Sequence, residues 1–356
     1  MAAYHAAILG NPDVFKDKIV MDIGTGSGIL AVWAAQAGAR KVYAIEYTDM
    51  AKHARAVMKA NNVEDVVTVM QCAVEDVVLP EEEDGCGQRC VDIIVSEWMG
   101  YFLLRESMTD SIIRARDTFL KPSTGLMFPS HCTMYLAAVT DEDERKGAAN
   151  EYAAAMSDWH DFENTVSQMY GVNMNILESE FDREQKEYYM LSSRWTELPA
   201  DAVLTEPAQL KHFDMMTCTL DDAKGIEAAP FDFDIANSRP ISGLSGWFTA
   251  DFCSRTDVGG VEAPRLDAPS HLSTGPENGY THWGQQTFYF PNSIPVLGDE
   301  TVRLRGSLGM MRTKENARLY NCRIQYSSSR RKSTEDRDNG KILMESAMVD
   351  QVYQIP

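Results

Sequence analysis

Two glutamates, Glu97 and Glu106, bound one short stretch that reads Glu97-Trp98-Met99-Gly100-Tyr101 and closes with Glu106-Ser107-Met108. Carboxylates on one loop repel each other unless a cation lies between them. A guanidinium suits that place, because its donor fork matches carboxylates and it stays protonated near neutrality. Such a pair would localise positive charge on one guanidino nitrogen and leave more electron density on another. It would also hold that nitrogen in line with an electrophile, the benefit of an intramolecular reaction. The bland alternative is a solvated acidic loop in which Glu106 caps the following helix.

A second group of residues bears on what the electrophile is. Asp22 precedes Gly24, Gly26 and Gly28, and glycines let a backbone turn tightly and approach a ligand closely. A dinucleotide fingerprint would place its last glycine at position 29, where Ile29 stands. Spacing of the Gly-x-Gly-x-Gly kind suits an adenosyl amino acid, which has no pyrophosphate to seat. This argues against a nicotinamide-dependent oxidoreductase. Glu46 is placed to accept from ribose hydroxyls, and Glu75 to reach an adenine amino group. Farther on, Thr281-His282-Trp283-Gly284 sets an aromatic beside a histidine, where it could cover a flat guanidinium through a cation–π contact.

These residues need elements to position them. Lys18–Ile23 reads as a strand, Ile29–Ala37 as a helix and Lys41–Glu46 as a second strand. Asp49–Asn61 is a helix with Asp49 at its N-cap; Val66–Met70 and Val91–Val95 are two more strands. Strands separated by helices imply crossovers and a parallel sheet, with the acidic residues at its carboxyl edge. Pro80–Arg89 reads as an acidic surface loop, and Met108–Phe119 as a helix. After Pro129 the pattern changes. Thr133–Val139, Ser245–Phe252, Thr287–Phe290, Val302–Met310 and Leu319–Tyr326 read as strands of an all-β sandwich or barrel, and Ser327–Asn339 as a charged loop. Between them, Glu151–Trp195 is helical and rich in aromatics. Composition leaves open whether these pack on the same chain or on a second subunit.

The chain has 356 residues, 44% hydrophobic and 24% charged, enough for two globular domains. Its net charge of −20 disfavours direct binding to nucleic acid or anionic membranes and suits basic partners, but taken alone it is better read as a device for solubility. Seven scattered cysteines form no zinc pattern; Cys86 and Cys90 are the nearest pair, and no metal is expected. Reduced thiols, no signal peptide at Met1–Gly10 and no membrane-length apolar run give the expectation of a soluble cytoplasmic or nuclear protein.

Asp22–Leu30, Glu46, Val74-Glu75, Ser96–Met108 and Thr281–Trp283 together resemble the ordered motifs of protein arginine N-methyltransferases. Ser96–Arg116, reading SEWMGYFLLRESMTDSIIRAR, is similar to the plant branch numbered ten, as are Ser157–His160 and Thr281–Gln286. The resemblance spans nearly the whole chain. It implies a Rossmann-like methyltransferase domain over 1–129, then a β-barrel substrate domain over 130–356 with a helical dimerisation arm at about 157–198. It implies S-adenosyl-L-methionine as cofactor, leaving S-adenosyl-L-homocysteine. Asp22, Gly24, Gly26, Gly28, Glu46, Val74 and Glu75 would bind it. Glu97, Glu106 and His282 would be catalytic, and Tyr101, Met108 and Trp283 would shape the arginine site.

Mono- and asymmetric dimethylation of histone tails or Arg/Gly-rich segments by a homodimer is the implied activity. A small-molecule methyltransferase fits the double-glutamate loop less directly. Family members also carry an upstream helical segment with a Tyr-Phe motif, which covers the cofactor and supplies an arginine for its carboxylate. This sequence starts at Met1, past that motif, so the expectation is a site without this lid. The alternative it motivates is a non-catalytic, cofactor-binding partner subunit.

Overall fold

The computed structural model describes residues 1–80, 89–255, 264–298, 300–316, 318–332 and 342–355. The acidic stretch after Pro80, Cys86 included, lies almost wholly outside the described residues. The chain divides into two compact units. Unit 1 comprises Met1–Thr133, His212–Ala223 and Phe248–Ser273; unit 2 comprises Met134–Lys211, Lys224–Trp247 and Thr274–Pro356. The expected cut after residue 129 falls just before the end of unit 1's first stretch, and two later segments join that unit.

Unit 1 opens with helices α1 (Ala2–Leu9) and α2 (Pro12–Phe15). There follow β1 (Ile19–Ile23), α3 (Ile29–Gln36), β2 (Lys41–Ile45), α4 (Met50–Ala60), β3 (Val67–Met70), β4 (Ile93–Val95), α5 (Thr109–Phe119) and β5 (Leu126–Phe128). The sheet is parallel, in the order β3-β2-β1-β4-β5. All five residues of β1 are buried, as a strand covered on both faces requires. Helix α4 buries Ala51, Ala54 and Met58, one stripe at helical spacing. Asp49 stands at its N-cap, as expected, but makes no side-chain cap bond. It binds Lys52 and Gln71 instead. The fourth strand is shorter than Val91–Val95, because Val91 makes only an isolated bridge to Leu120.

Strand register decides where the functional residues emerge. Ile23 pairs with Ile45, Ile45 with Met70, and Asp22 with Val95. Gly24, Glu46 and Ser96 therefore leave the sheet together at its carboxyl edge. The order reverses at β1, with β2 on one side and β4 on the other, so the switch point lies between β1 and β4. The glycine turn follows the first of these strands and the double-glutamate loop the second.

β6 (His131–Val139) leads into α6 (Glu142–Tyr170) and α7 (Glu178–Tyr189), the helical arm. Asp141 caps α6 by accepting from the Glu144 amide, and Gly171 ends it at φ 65°, a left-handed stop that favours glycine. The helix thus starts earlier than the sequence pattern suggests. Trp159 stacks on Phe181 at 4.5 Å, and Tyr152 donates to Asp182, so α6 and α7 form a hairpin.

The rest is antiparallel: β7 (Arg194–Thr196), β8 (Ala208–Asp214), β9 (Gly225–Ile235), β10 (Ile241–Phe252), β11 (Ser270–Ser273), β12 (Gln285–Ile294), β13 (Glu300–Arg312), β14 (Tyr320–Lys332), β15 (Ile342–Glu345) and β16 (Val349–Ile355). One sheet runs β7-β12-β10-β6-β8 with β11 on β10, and another β15-β14-β13-β9 with β16 on β14. In β9, buried Phe231, Phe233 and Ile235 alternate with exposed Asp232 and Asp234. The charged loop expected at Ser327–Asn339 is instead strand up to Lys332, where β14 continues its ladder with β13; 333–341 lie outside the described residues. The chain is thus an α/β Rossmann-like domain with an antiparallel β-rich domain and an inserted helical arm.

Candidate active site

The glycine turn has two kinds of glycine. Gly24, Gly26 and Gly28 have φ of 69°, 55° and 90°, the region that disfavours side chains. A Cβ on Gly28 would lie 2.3 Å from Met58 Cε, so this glycine lets α4 approach the start of α3. A Cβ on Gly26 would meet nothing within 4 Å, so the turn faces open space there. Asp22, buried beneath, accepts from Thr25 Oγ1 at 2.5 Å, and burial pushes its carboxyl up to about 7.

Glu46 is held by three donors. The Gly26 amide reaches Oε2 at 2.9 Å; the Thr48 amide and hydroxyl reach Oε1 at 2.9 and 2.7 Å. Burial alone would raise its pKa, but these bonds outweigh it and hold the group below the usual glutamate range. The result is a fixed anion beside the open edge of Gly26. A carboxylate has about four acceptor positions, so one remains for a ribose hydroxyl. This donor-fed carboxylate and the unfilled space at Gly26 fit the adenosyl cofactor. Val74 is buried, whereas Glu75 is exposed and accepts from Ser111 of α5 at 2.7 Å.

Residues 96–108 form a tightly wound loop. The Met108 amide closes its neck on Trp98 O at 3.0 Å, and the Gly100 amide bonds Leu103 O at 2.9 Å. Phe102, Leu103 and Glu106 all have positive φ, of 46°, 67° and 59°. Such strain persists only where the surroundings impose it. Here Trp98, Met99, Phe102, Leu103 and Leu104 are all buried and anchor the loop. Ser96 ties it to β1 by donating to Ile23 O at 2.7 Å, and Tyr4 of α1 donates to Ser96 O at 2.8 Å. Met108 lies against the glycine turn, with Cε 2.6 Å from where a Cβ on Gly24 would sit.

The two carboxylates occupy opposite limbs of this loop in different environments. Glu97 is partly buried, and burial pushes its pKa up to about 7. Glu106 is exposed, and its Oε2 takes an ion pair from Arg105 Nη1 at 2.9 Å. The Arg105 guanidinium also lies 5.6 Å from the centroid of the Tyr101 ring. Helix α5 has Met108 at its N-cap and no side-chain cap bond, so Glu106 does not cap it.

His282 and Trp283 belong to unit 2, in the loop before β12. The loop is a turn closed by the Gly284 amide on Thr281 O at 3.0 Å. Trp283 is buried, with its ring 3.8 Å from that of exposed His282. Partial desolvation of the imidazole shifts His282 below its usual range, towards the neutral form. Gln285 anchors the loop's end, donating to Thr274 O and accepting from the Leu198 amide.

A family model for the arginine methyltransferase oligomerization subdomain matches residues 130–331, and one for ribosomal protein L11 methyltransferase matches residues 11–117. A protein arginine N-methyltransferase PRMT10 of Oryza sativa subsp. japonica is 43% identical over 330 residues, which is 92% of this chain and 81% of the relative. This chain belongs to the protein arginine N-methyltransferase family. The Arabidopsis thaliana PRMT10 is 42% identical over 340 residues, 94% of this chain and 84% of its own. The solved structure of Arabidopsis protein arginine methyltransferase 10, described as uniquely open, matches with a TM-score of 0.86 at 38% identity, covering 100% of this chain and 94% of that one. A Trypanosoma brucei PRMT1 enzyme-prozyme heterotetramer with AdoHcy matches with a TM-score of 0.69 at 27% identity, covering 100% of this chain and 94% of that one.

For a protein arginine N-methyltransferase, the structure brings Asp22, Gly24, Gly26, Glu46, Glu97 and Met108 to one sheet edge. Three site features escaped the sequence reading. Thr48 fixes the Glu46 carboxylate, Tyr4 fixes the start of the glutamate loop, and Arg105 engages Glu106. Thr48, two residues past Glu46, had a local signal, since short-range hydroxyl bonds are common at such spacing. The other two depend on tertiary placement.

Proposed function

We propose that this chain transfers a methyl group from S-adenosyl-L-methionine to guanidino nitrogens of protein arginines, forming monomethyl- and then asymmetric dimethylarginine. The observation that carries the reading is the strained 96–108 loop, which carries Glu97 and Glu106 on opposite limbs and lays Met108 against the glycine turn. When bound, the cofactor supplies a sulfonium methyl open to displacement by a nucleophile. Glu46 and the backbone at Gly24 and Gly26 hold its adenosyl part, Glu46 as a fixed acceptor for a ribose hydroxyl. Asp22 supports the turn through Thr25, while Gly28 lets the turn pack on α4. Val74 and Glu75 border the adenine, with Glu75 oriented by Ser111.

Glu97 and Glu106 grip the acceptor guanidinium, localise its charge and leave one nitrogen electron-rich. Tyr101, Met108 and Trp283 shape the arginine site. As the new N–CH₃ bond forms, the nitrogen loses a proton, which leaves through Glu106 or His282 to water. The substrates are basic, arginine-containing segments such as histone tails or Arg/Gly-rich stretches, consistent with the charge of −20. The active species is a homodimer joined through the α6–α7 arm, at work in cytoplasm or nucleus.

Incubation with methyl-labelled cofactor and an Arg/Gly-rich peptide tests the reading. Label on arginine, recovered as mono- and asymmetric dimethylarginine after hydrolysis, is the expected result. Intact binding of S-adenosylhomocysteine and peptide without transfer would sink it, and symmetric dimethylarginine would overturn the assigned type.

A further inference from the structure

Arg105 places a guanidinium on the carboxylate that is to receive one. Its Nη1 lies 2.9 Å from Glu106 Oε2, and its guanidinium carbon 5.6 Å from the centroid of the Tyr101 ring. Neighbouring side chains on extended backbone point to opposite faces. Here the left-handed turn at Glu106, φ 59°, accompanies a contact between neighbours. The Arg105 side chain is mostly buried, 12% exposed against 45% for Glu106, and its Nε is buried with no acceptor. Glu106 is its one ion-pair partner among the described residues. The cation is thus sequestered but incompletely satisfied, held by one carboxylate and one ring.

We propose that Arg105 is a resident competitor for the acceptor arginine and sets the enzyme's affinity for its substrate. Its guanidinium occupies Glu106 in the substrate-free chain, and a substrate guanidinium docks by displacing it. The inference rests on the reading of Glu106 as a substrate-gripping carboxylate. Affinity is then reduced by the fraction of molecules in which Glu106 is occupied. Arg105 acts through Glu106 and is a positioning residue rather than a catalytic one.

The test compares wild type, Arg105→Gln and Arg105→Lys with a single-arginine peptide. Calorimetry on protein saturated with S-adenosylhomocysteine gives Kd, and steady-state assays separate KM from kcat. Arg105→Gln is expected to lower Kd and KM about fivefold, the scale of a partly exposed ion pair, with kcat within about twofold. Arg105→Lys, which keeps a cation near Glu106 but loses the guanidinium fork, is expected to lower Kd and KM less than Arg105→Gln does. In wild type, nitrogen NMR of the Arg105 guanidinium shifts when peptide saturates the site, a readout that needs no variant to fold. Unchanged Kd in Arg105→Gln, a fall in kcat without a gain in affinity, or an Arg105 signal indifferent to peptide overturns the competitor role. A wild type that neither binds nor methylates the peptide overturns the arginine-methylation reading itself.

Discussion

Glu97 and Glu106 share a loop but not an environment, and their difference has consequences. Burial raises Glu97 to about 7, so near neutrality it is only part ionised until a cation arrives. Peptide KM should therefore fall as pH rises from 6 to 8, and calorimetry in buffers of different ionisation enthalpy should show proton release on binding. Glu97→Gln should abolish both trends. The stability effect has a definite sign. The folded pKa lies above the unfolded one, so Glu97's contribution is complete below the ordinary glutamate range and lost as pH rises through about 7. Glu97→Gln should thus raise Tm at pH 8, by an amount equivalent to on the order of 1–3 kcal/mol, and leave it unchanged at pH 4. Either glutamine substitution should lower kcat about 10²- to 10³-fold, the usual loss for one stabilising group at a reacting centre. That both carboxylates stand on one short loop was legible from their spacing alone. The Arg105 contact was not, because it accompanies a positive φ at Glu106 that no residue type at 105 or 106 announces.

At the scale of elements, apolar runs in the first third were enough to place four of the five parallel strands, all but β5, and hence the sheet edge that carries the site. Strand β9 was missed, since Asp232 and Asp234 are poor strand formers. The structure answers that with cross-strand pairs, Arg303 to Asp232 at 2.7 and 2.6 Å and Arg305 to Asp232 at 3.2 Å. The end of β14 escaped because its run of serines and basic residues reads as a loop, with Arg330 meeting Glu300 across the ladder at 3.2 Å. Within the glycine turn the structure separates packing from binding. Gly28→Ala, strained at φ 90° and driven against Met58, should cost about 1–3 kcal/mol of stability, read from the urea midpoint. Gly26→Ala meets open space and should cost nearer 1 kcal/mol, yet weaken S-adenosylhomocysteine binding measured by calorimetry. Equal effects of both on binding would contradict this division.

The whole molecule carries two surface features that the fold does not consume. One is its charge of −20, which should speed encounter with basic peptides, so kcat/KM should fall between 0.05 and 0.5 M salt, roughly where the Debye length drops below about 10 Å. The other is the arm, which leaves Met169, Tyr170, Ile176 and Tyr188 between 68% and 84% exposed. Exposed apolar groups of this size are what a partner surface would use. Sedimentation should find a dimer, and Ile176→Glu with Tyr170→Glu should shift it to monomer without unfolding it. Composition alone had left the arm's aromatics divided between internal packing and a partner. Across the hairpin Trp159 stacks on Phe181 and Tyr152 donates to Asp182, while Met169, Tyr170, Ile176 and Tyr188 stay exposed.

The most direct test of the account is transfer of labelled methyl to an Arg/Gly-rich peptide by wild type, Glu97→Gln and Glu106→Gln, each first shown to bind S-adenosylhomocysteine. Arginine-borne label from wild type and its near-complete loss in both variants, with cofactor affinity unchanged, is the expected result. Label on arginine at wild-type rate from either variant would contradict it.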